Sequence, residues 1–233
     1  MMMSKAENSR YLPVVAGCFV AALLITNVTN AKFVSLGPFV MTGGTLLFPI
    51  AFIFNDILTE VYGYAKTRVV IWMGVGCQLF GGLFYWLVGL LPSAAFWAHQ
   101  DAYDVILSIS PRLAVASVVA YLCGEFANSI VLSRMKYRDA GARGAKQGWR
   151  FIASTIVGEG VDSIVFILIA FAGVMSLSDL FYTTGSIYIL KVIYEAAATP
   201  LSTRLANWLK EREGVDHMDD PASTNYSPFA VSS

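Results

Sequence analysis

The sequence predicts an all-α, polytopic membrane protein of six transmembrane helices with both termini in the cytoplasm, and three observations lead there. Hydrophobic residues make up 56% of the chain and charged residues only 14%, with a mean hydropathy of +0.61, whereas soluble domains carry about 25% charge. The apolar residues gather into runs of about 20, the length that crosses a hydrocarbon core of roughly 30 Å. Lysine and arginine are segregated into alternate connections, as the positive-inside rule requires of cytoplasmic loops. The formal net charge is zero and the pI about 6.7, so no global field favours nucleic acid, and the lipid bilayer is the expected environment.

The runs are Leu12 to Phe33, Gly43 to Tyr62, Val69 to Leu91, Leu113 to Leu132, Phe151 to Met175 and Ile187 to Leu209. Residues 1–11 read as a short cytoplasmic segment and 12–210 as the transmembrane domain. No small-x-small cleavage site precedes full spanning length, so the first run is expected to be retained. Gly43, Gly44 and Pro49 weaken the first turns of the second run, which predicts a kinked or partly unwound start. Arg134, Lys136, Arg138, Arg143, Lys146 and Arg150 between the fourth and fifth runs place that connection in the cytoplasm, and Lys66, Arg68, Arg204, Lys210 and Arg212 fall on the same side. The outer connection from Pro92 to Pro111, with Phe96, Trp97 and Tyr103, suits a short interfacial helix. Residues 211–233 are acidic, then rich in Ser, Pro and Asn without periodicity, and are expected to be a disordered cytoplasmic tail.

The apolar runs are interrupted where lipid should forbid it. An ionisable residue at membrane depth costs about 2.5–3.5 kcal/mol, so such residues face a partner or a cavity. Polar and ionisable residues recur here as Asn27 and Asn30 in the first run, Asn55, Asp56 and Glu60 in the second, and Glu125, Asn128 and Ser129 in the fourth. Glu159, Asp162 and Ser163 follow in the fifth, with Lys191 and Glu195 in the sixth. Spacings of three and four put each set on one helix face, so the stripes imply a shared polar interior. Asn, Ser and Thr also glue membrane helices together. The carboxylates are harder to explain that way, because Asp56, Glu60, Glu125, Glu159 and Asp162 have only Lys191 as an obvious intramembrane cation. Protons or a cationic or donor-rich solute must balance them. Glu60, near the cytoplasmic end, is the member most easily solvated.

Gly124-Glu125-x-x-Asn128-Ser129 and Gly158-Glu159-x-x-Asp162-Ser163 share one form. Together with Asn55-Asp56-x-x-Thr59-Glu60, they suggest two three-helix halves of opposite topology, a 3+3 inverted repeat with polar residues converging near the midplane. Cys18, Cys77 and Cys123 have no metal-type spacing and read as buried hydrophobes. His99 and His217 lie in a loop and the tail, so no zinc site, Ser-His pair or catalytic residue is expected in the bilayer, nor any P-loop, cofactor or metal.

The blocks Phe54-Asn55-Asp56-Ile57-Leu58-Thr59-Glu60-Val61-Tyr62-Gly63, Gly124-Glu125-Phe126-Ala127-Asn128-Ser129 and Ser154-Thr155-Ile156-Val157-Gly158-Glu159-Gly160-Val161-Asp162-Ser163 resemble those of vitamin uptake or queuosine precursor transporters, over about residues 20–210. The resemblance implies a six-helix bacterial inner-membrane importer of 7-cyano-7-deazaguanine and its 7-aminomethyl counterpart, used for tRNA modification. A deazaguanine edge presents a ring N–H beside an amine, which one carboxylate accepts in a bidentate pair. Glu125 or Glu159 suits that edge, and Asn128, Asn27 or Asn30 suits the carbonyl. Asp56 or Asp162 is available for a cationic aminomethyl group, and Phe54, Phe126, Tyr188 or Tyr194 for stacking. The rival readings are a binding component energised by a separate ATPase, a transporter of another vitamin or nucleobase, a channel, and a carboxylate-only membrane enzyme. Proton coupling and a homodimer are compatible with these residues, but no motif demands either.

Overall fold

The computed structural model describes residues 9–36, 39–107, 111–171, 173 and 177–230. Each of the six apolar runs contains a helix, and four helices among the described residues are long and apolar enough to cross a membrane: Leu12–Thr29, Tyr64–Gly89, Ala114–Arg138 and Ala145–Ala170. The chain is therefore a multi-pass helical protein, with one small hairpin.

Helix α1 (Leu12–Thr29) opens on a proline in its first turn, where the missing N–H has no intrahelical partner to lose. After it the chain makes an antiparallel hairpin, β1 (Phe33–Leu36) with β2 (Phe39–Thr42), a pairing not expected from an all-α reading. A 3₁₀ turn over Gly43–Leu46 leads into α2 (Phe48–Tyr62), so the second run begins with a tighter turn and only then becomes α-helical. Glycine is needed there for proximity. A Cβ on Gly44 would lie 2.5 Å from the Thr26 carbonyl oxygen and 2.2 Å from Asn30 Oδ1, so only a bare backbone can pack against the end of α1.

Helix α3 (Tyr64–Gly89) follows directly, and α4 (Gln100–Leu107) is the short helix expected in the outer connection. Tyr103 anchors α4 to α3 through a hydrogen bond from its hydroxyl to the Tyr85 carbonyl at 3.0 Å. Helices α5 (Pro111–Arg138) and α6 (Ala145–Phe171) form the most extensive pair, and α7 (Leu177–Glu213) packs on α6 and α2. With 37 residues, α7 is about 55 Å long at 1.5 Å per residue and outreaches any bilayer core. It passes through Pro200 without a break.

Phe19, Ile57, Leu58, Ile71, Tyr121 and Phe126 form the apolar core among α1, α2, α3 and α5. Leu79, Phe80, Leu83, Phe84 and Leu87 point outward from α3, as suits a helix whose solvent is lipid. The α5–α6 crossing is built on the repeated motif. A Cβ on Gly124 would sit 2.8 Å from Asp162 Cβ, and one on Gly158 would sit 2.7 Å from Asn128 Cβ, while each would come 3.0 Å from the other glycine's carbonyl oxygen. The two copies of the motif therefore meet reciprocally, glycine against glycine.

The tail departs from expectation. Residues 214–230 are docked rather than disordered. The His217 N–H donates to the Val61 carbonyl at 3.1 Å, Asp219 Oδ2 accepts from the Tyr64 N–H at 2.9 Å and from Ser133 Oγ at 2.8 Å, and Trp72 Nε1 donates to the Pro228 carbonyl at 2.8 Å. Arg68 holds the carbonyls of Asn225 and Ser227 at 3.0 and 3.2 Å. Periodicity does not register such a segment, because it is held by individual polar partners at the α2–α3 junction rather than by an apolar stripe. Gly63 makes room there: its φ is +83°, and a Cβ would lie 2.2 Å from His217 Cδ2.

Candidate functional site

The polar stripes of α2, α5, α6 and α7 converge. Between α2 and α5, Asn55 Nδ2 donates to Ser129 Oγ at 3.0 Å and to the Glu125 carbonyl at 3.4 Å, and Asn128 Nδ2 donates to Asp56 Oδ1 at 2.7 Å. Between α6 and α7, Lys191 Nζ lies 2.8 Å from Glu159 Oε2 and 3.4 Å from Asp162 Oδ2. The two seams form one cluster, since Glu125 is within electrostatic reach of Glu159, Asp162, Asp56 and Glu195, and Glu195 within reach of Asp56 and Glu159. Phe48 closes one side, its ring centroid 3.9 Å from Lys191 Nζ, a distance at which the cation is attracted by the ring face.

The unpaired atoms of this cluster define its chemistry. Both carboxyl oxygens of Glu125, both of Glu195, Asp56 Oδ2 and Asn128 Oδ1 are buried without a hydrogen-bond partner. Glu125 and Glu195 are each 1% exposed. A buried polar atom without a partner forfeits about 1–3 kcal/mol, so this concentration of acceptors calls for a donor-rich guest or for protons.

Eight of the predicted residues are thus brought together: Asn55, Asp56, Glu125, Asn128, Glu159, Asp162, Lys191 and Glu195. Asn27 and Asn30 belong elsewhere. Asn27 Nδ2 donates to Gln78 Oε1 at 3.1 Å at the wall of an apolar cavity of about 720 Å³ lined also by Leu24, Leu83, Trp86 and Val118. Asn30 lies at the end of α1 against Gly44. Among the candidate aromatics, Phe126 packs into the core against Tyr64 and Trp72, Tyr188 donates to the Ile156 carbonyl at 3.0 Å, and Tyr194 is exposed.

Glu60 requires a correction. It is fully buried, not solvated. Arg150 holds it with two bonds, Nε to Oε2 at 2.9 Å and Nη2 to Oε1 at 2.5 Å, and Lys210 Nζ reaches Oε1 at 2.6 Å. Lys136 donates to the Glu60 carbonyl at 2.6 Å and pairs with Asp216 of the tail at 2.6 Å. Lys136, Arg150 and Lys210, assigned from sequence to the cytoplasmic surface, are 0–3% exposed and form a second ionic centre that ties α2, α5, α6, α7 and the tail together.

The sequence of residues 42–205 matches the family described as "Putative vitamin uptake transporter". The chain belongs to that family. It is 26% identical over 180 residues to the "Probable queuosine precursor transporter" of Bacillus subtilis (strain 168), covering 77% of each chain. It is 28% identical over 131 residues to a protein of the same name from Haemophilus influenzae, covering 56% of this chain and 52% of that one. No solved structure matches the chain.

The part shared with the vitamin uptake transporter family contains the whole acid cluster and stops before the docked tail. Two features of this family member escaped the sequence reading. Phe48 was legible in principle, since Phe48, Phe52 and Asp56 recur every four residues along one face of α2. The pairing of Arg150 and Lys210 with Glu60 carried no local signal, since 90 and 150 residues separate the partners.

Proposed function

We propose that the protein imports queuosine precursors, 7-cyano-7-deazaguanine and 7-aminomethyl-7-deazaguanine, across a bacterial inner membrane. The observation that carries this reading is the pair of unpaired, buried Glu125 oxygens at the meeting point of α2, α5, α6 and α7. One carboxylate with both oxygens free matches the two parallel N–H donors of a guanine-like edge, and the second N–H of the Asn128 amide, whose first is held by Asp56, can donate to the ring carbonyl. The names of the relatives supply the substrate class.

In this reading α2 and α7 complete six spans with the four long apolar helices, and both termini face the cytoplasm, as the basic residues of the α5–α6 connection suggest. The acid pairs carried by α2 and α6, the second helices of the two halves, support an inverted repeat, in which one half rocks on the other around a site near the midplane. The eight clustered residues form the substrate site, some by facing the substrate and some by holding its neighbours in place, and no step of bond chemistry is required of the chain.

Uptake of 7-cyano-7-deazaguanine into liposomes containing the purified protein tests the reading, with Glu125→Gln as the decisive variant. Wild-type uptake that is lost in the variant is the expected result. Binding without transport, restored by a copurifying ATPase, would replace the autonomous importer with an energised binding component. Absence of binding by folded wild-type protein would end the queuosine-precursor assignment.

A further inference from the structure

We propose that the site is built for a cation-bearing substrate, and that Glu195 is the counter-ion that makes this chain prefer the ammonium-bearing 7-aminomethyl compound over the neutral 7-cyano one. The inference rests on the reading of the acid cluster as the queuosine-precursor site.

The charges around the cluster are unequal. Asp56 comes from α2, Glu125 from α5, Glu159 and Asp162 from α6, and Glu195 from α7, and the cation facing them is Lys191, also from α7. Lys191 is committed to Glu159 at 2.8 Å and to Asp162 at 3.4 Å. Asp162 was a sequence candidate for holding an aminomethyl cation, but it already has one. Asp56, the other candidate, has given Oδ1 to Asn128 and keeps only Oδ2. Glu195 keeps both oxygens.

A guanine-like edge engages one carboxylate, and Glu125 suits it. Five acceptor oxygens are unpaired on Asp56, Glu125 and Glu195 together, so a neutral substrate bound this way leaves Glu195 and Asp56 Oδ2 to be met by protons alone. The 7-substituent decides the rest. An aminomethyl ammonium carries three N–H donors and a positive charge, which meets the Glu195 carboxylate in a charge-assisted hydrogen bond and leaves a donor for Asp56. A nitrile offers only a lone pair, which faces like-signed oxygens. Sites built to hydrogen-bond a substrate group discriminate strongly against analogues that lack it, because their own buried polar atoms stay unpaired. With Glu195 on α7 at the substituent and Glu125 on α5 at the edge, two residues that lie within electrostatic reach of each other, the ligand would bridge the two helices.

Calorimetric titration of purified wild-type protein with the two compounds at neutral pH tests the proposal. We expect the aminomethyl compound to bind at least about tenfold more tightly, and Glu195→Gln to reduce that ratio toward one, mainly by weakening the aminomethyl compound. Titrating wild type with the N-acetylated aminomethyl compound removes the ligand's charge without touching the protein, and should abolish the preference even if the variant does not fold. Equal or tighter binding of the 7-cyano compound by wild type overturns the proposal and leaves the substrate assignment standing. An undiminished ratio in folded Glu195→Gln, or in the comparison with the acetylated compound, overturns the role given to Glu195 and to the charge respectively. Binding of neither compound overturns the substrate assignment itself.

Discussion

Glu60 and Arg150 face each other as a fully buried, two-bonded ion pair between α2 and α6, with Nε–Oε2 at 2.9 Å and Nη2–Oε1 at 2.5 Å. Lys210 shares the same carboxylate at 2.6 Å. Removing one member of a buried pair leaves an uncompensated charge and costs about 3–5 kcal/mol. Arg150→Ala is therefore expected to lower the thermal unfolding temperature in detergent markedly. Lys210→Ala should do less, because the two guanidinium bonds persist. A variant Arg150→Ala as stable as wild type would mean that the pair contributes little.

Gly63 carries the tail. A side chain at φ +83° is strained, and a Cβ would stand 2.2 Å from His217 Cδ2. Gly63→Ala is expected to release residues 214–230 while α2 and α3 persist. Trp72 reports on it, because its indole N–H bonds the Pro228 carbonyl at 2.8 Å and its ring packs on Phe229 at 5.6 Å. Loss of both should shift Trp72 emission and expose the tail to protease at concentrations that spare wild type.

The same segment should respond to acid. Burial pushes the Asp219 carboxyl up, but hydrogen bonds from His217, the Tyr64 N–H and Ser133 outweigh it and hold the group below the ordinary carboxylate value. Asp216 is likewise held low: burial pushes it up, and Lys136 and Lys210 outweigh that effect. A carboxyl whose value is lower docked than free supports docking fully above its free value, about 3.9, and that support is lost as pH falls through the lower docked value. Protease protection of the tail should accordingly hold at neutral pH and fail below about pH 4, and Asp219→Asn should weaken protection at neutral pH.

These residues show what a sequence can and cannot disclose about such a protein. The helices were legible because apolar length and basic connections are local quantities, and the stripes of α2, α5, α6 and α7 were legible because periodicity places Asp56, Glu125, Glu159 and Glu195 on buried faces. Pairing was not legible. Nothing near Asp162 says that Lys191 neutralises it, and nothing near Glu60 says that Arg150 holds it. Asn27 and Asn30 have the right type and depth for the site, but α1 turns them toward Gln78 and Gly44. A short polar tail held by individual hydrogen bonds leaves no period at all.

The helix crossing of α5 and α6 should tolerate no side chain. Gly158→Val would press against Asn128 Cβ, which a Cβ already approaches to 2.7 Å, and Gly124→Val against Asp162 Cβ at 2.8 Å. Contacts under 3.0 Å against backbone-proximal atoms cannot be relieved by a rotamer change, so the helices must separate. Either substitution is expected to abolish ligand binding and to lower thermal stability, whereas Gly148→Ala, whose Cβ would meet only Thr199 Cγ2 at 3.4 Å, should preserve both.

Asn128 and Asn55 make a final, discriminating pair of variants. Asn128 Nδ2 is 2.7 Å from Asp56 Oδ1 and is the stronger of the two side chains that hydrogen-bond this carboxylate, Ser154 being the other, so Asn128→Leu removes its main hydrogen bond and costs about 1–3 kcal/mol. Asn55 donates from Nδ2 to the Ser129 hydroxyl at 3.0 Å and accepts from it at Oδ1 at 3.2 Å, and a freed hydroxyl rotates to find another acceptor. Asn55→Leu should therefore cost less than Asn128→Leu in stability, and the binding of either deazaguanine should fall further in Asn128→Leu because the site loses both its amide and the orientation of Asp56. Equal effects of the two variants on binding would show that Asn128 acts only as a link between α2 and α5, as Asn55 does.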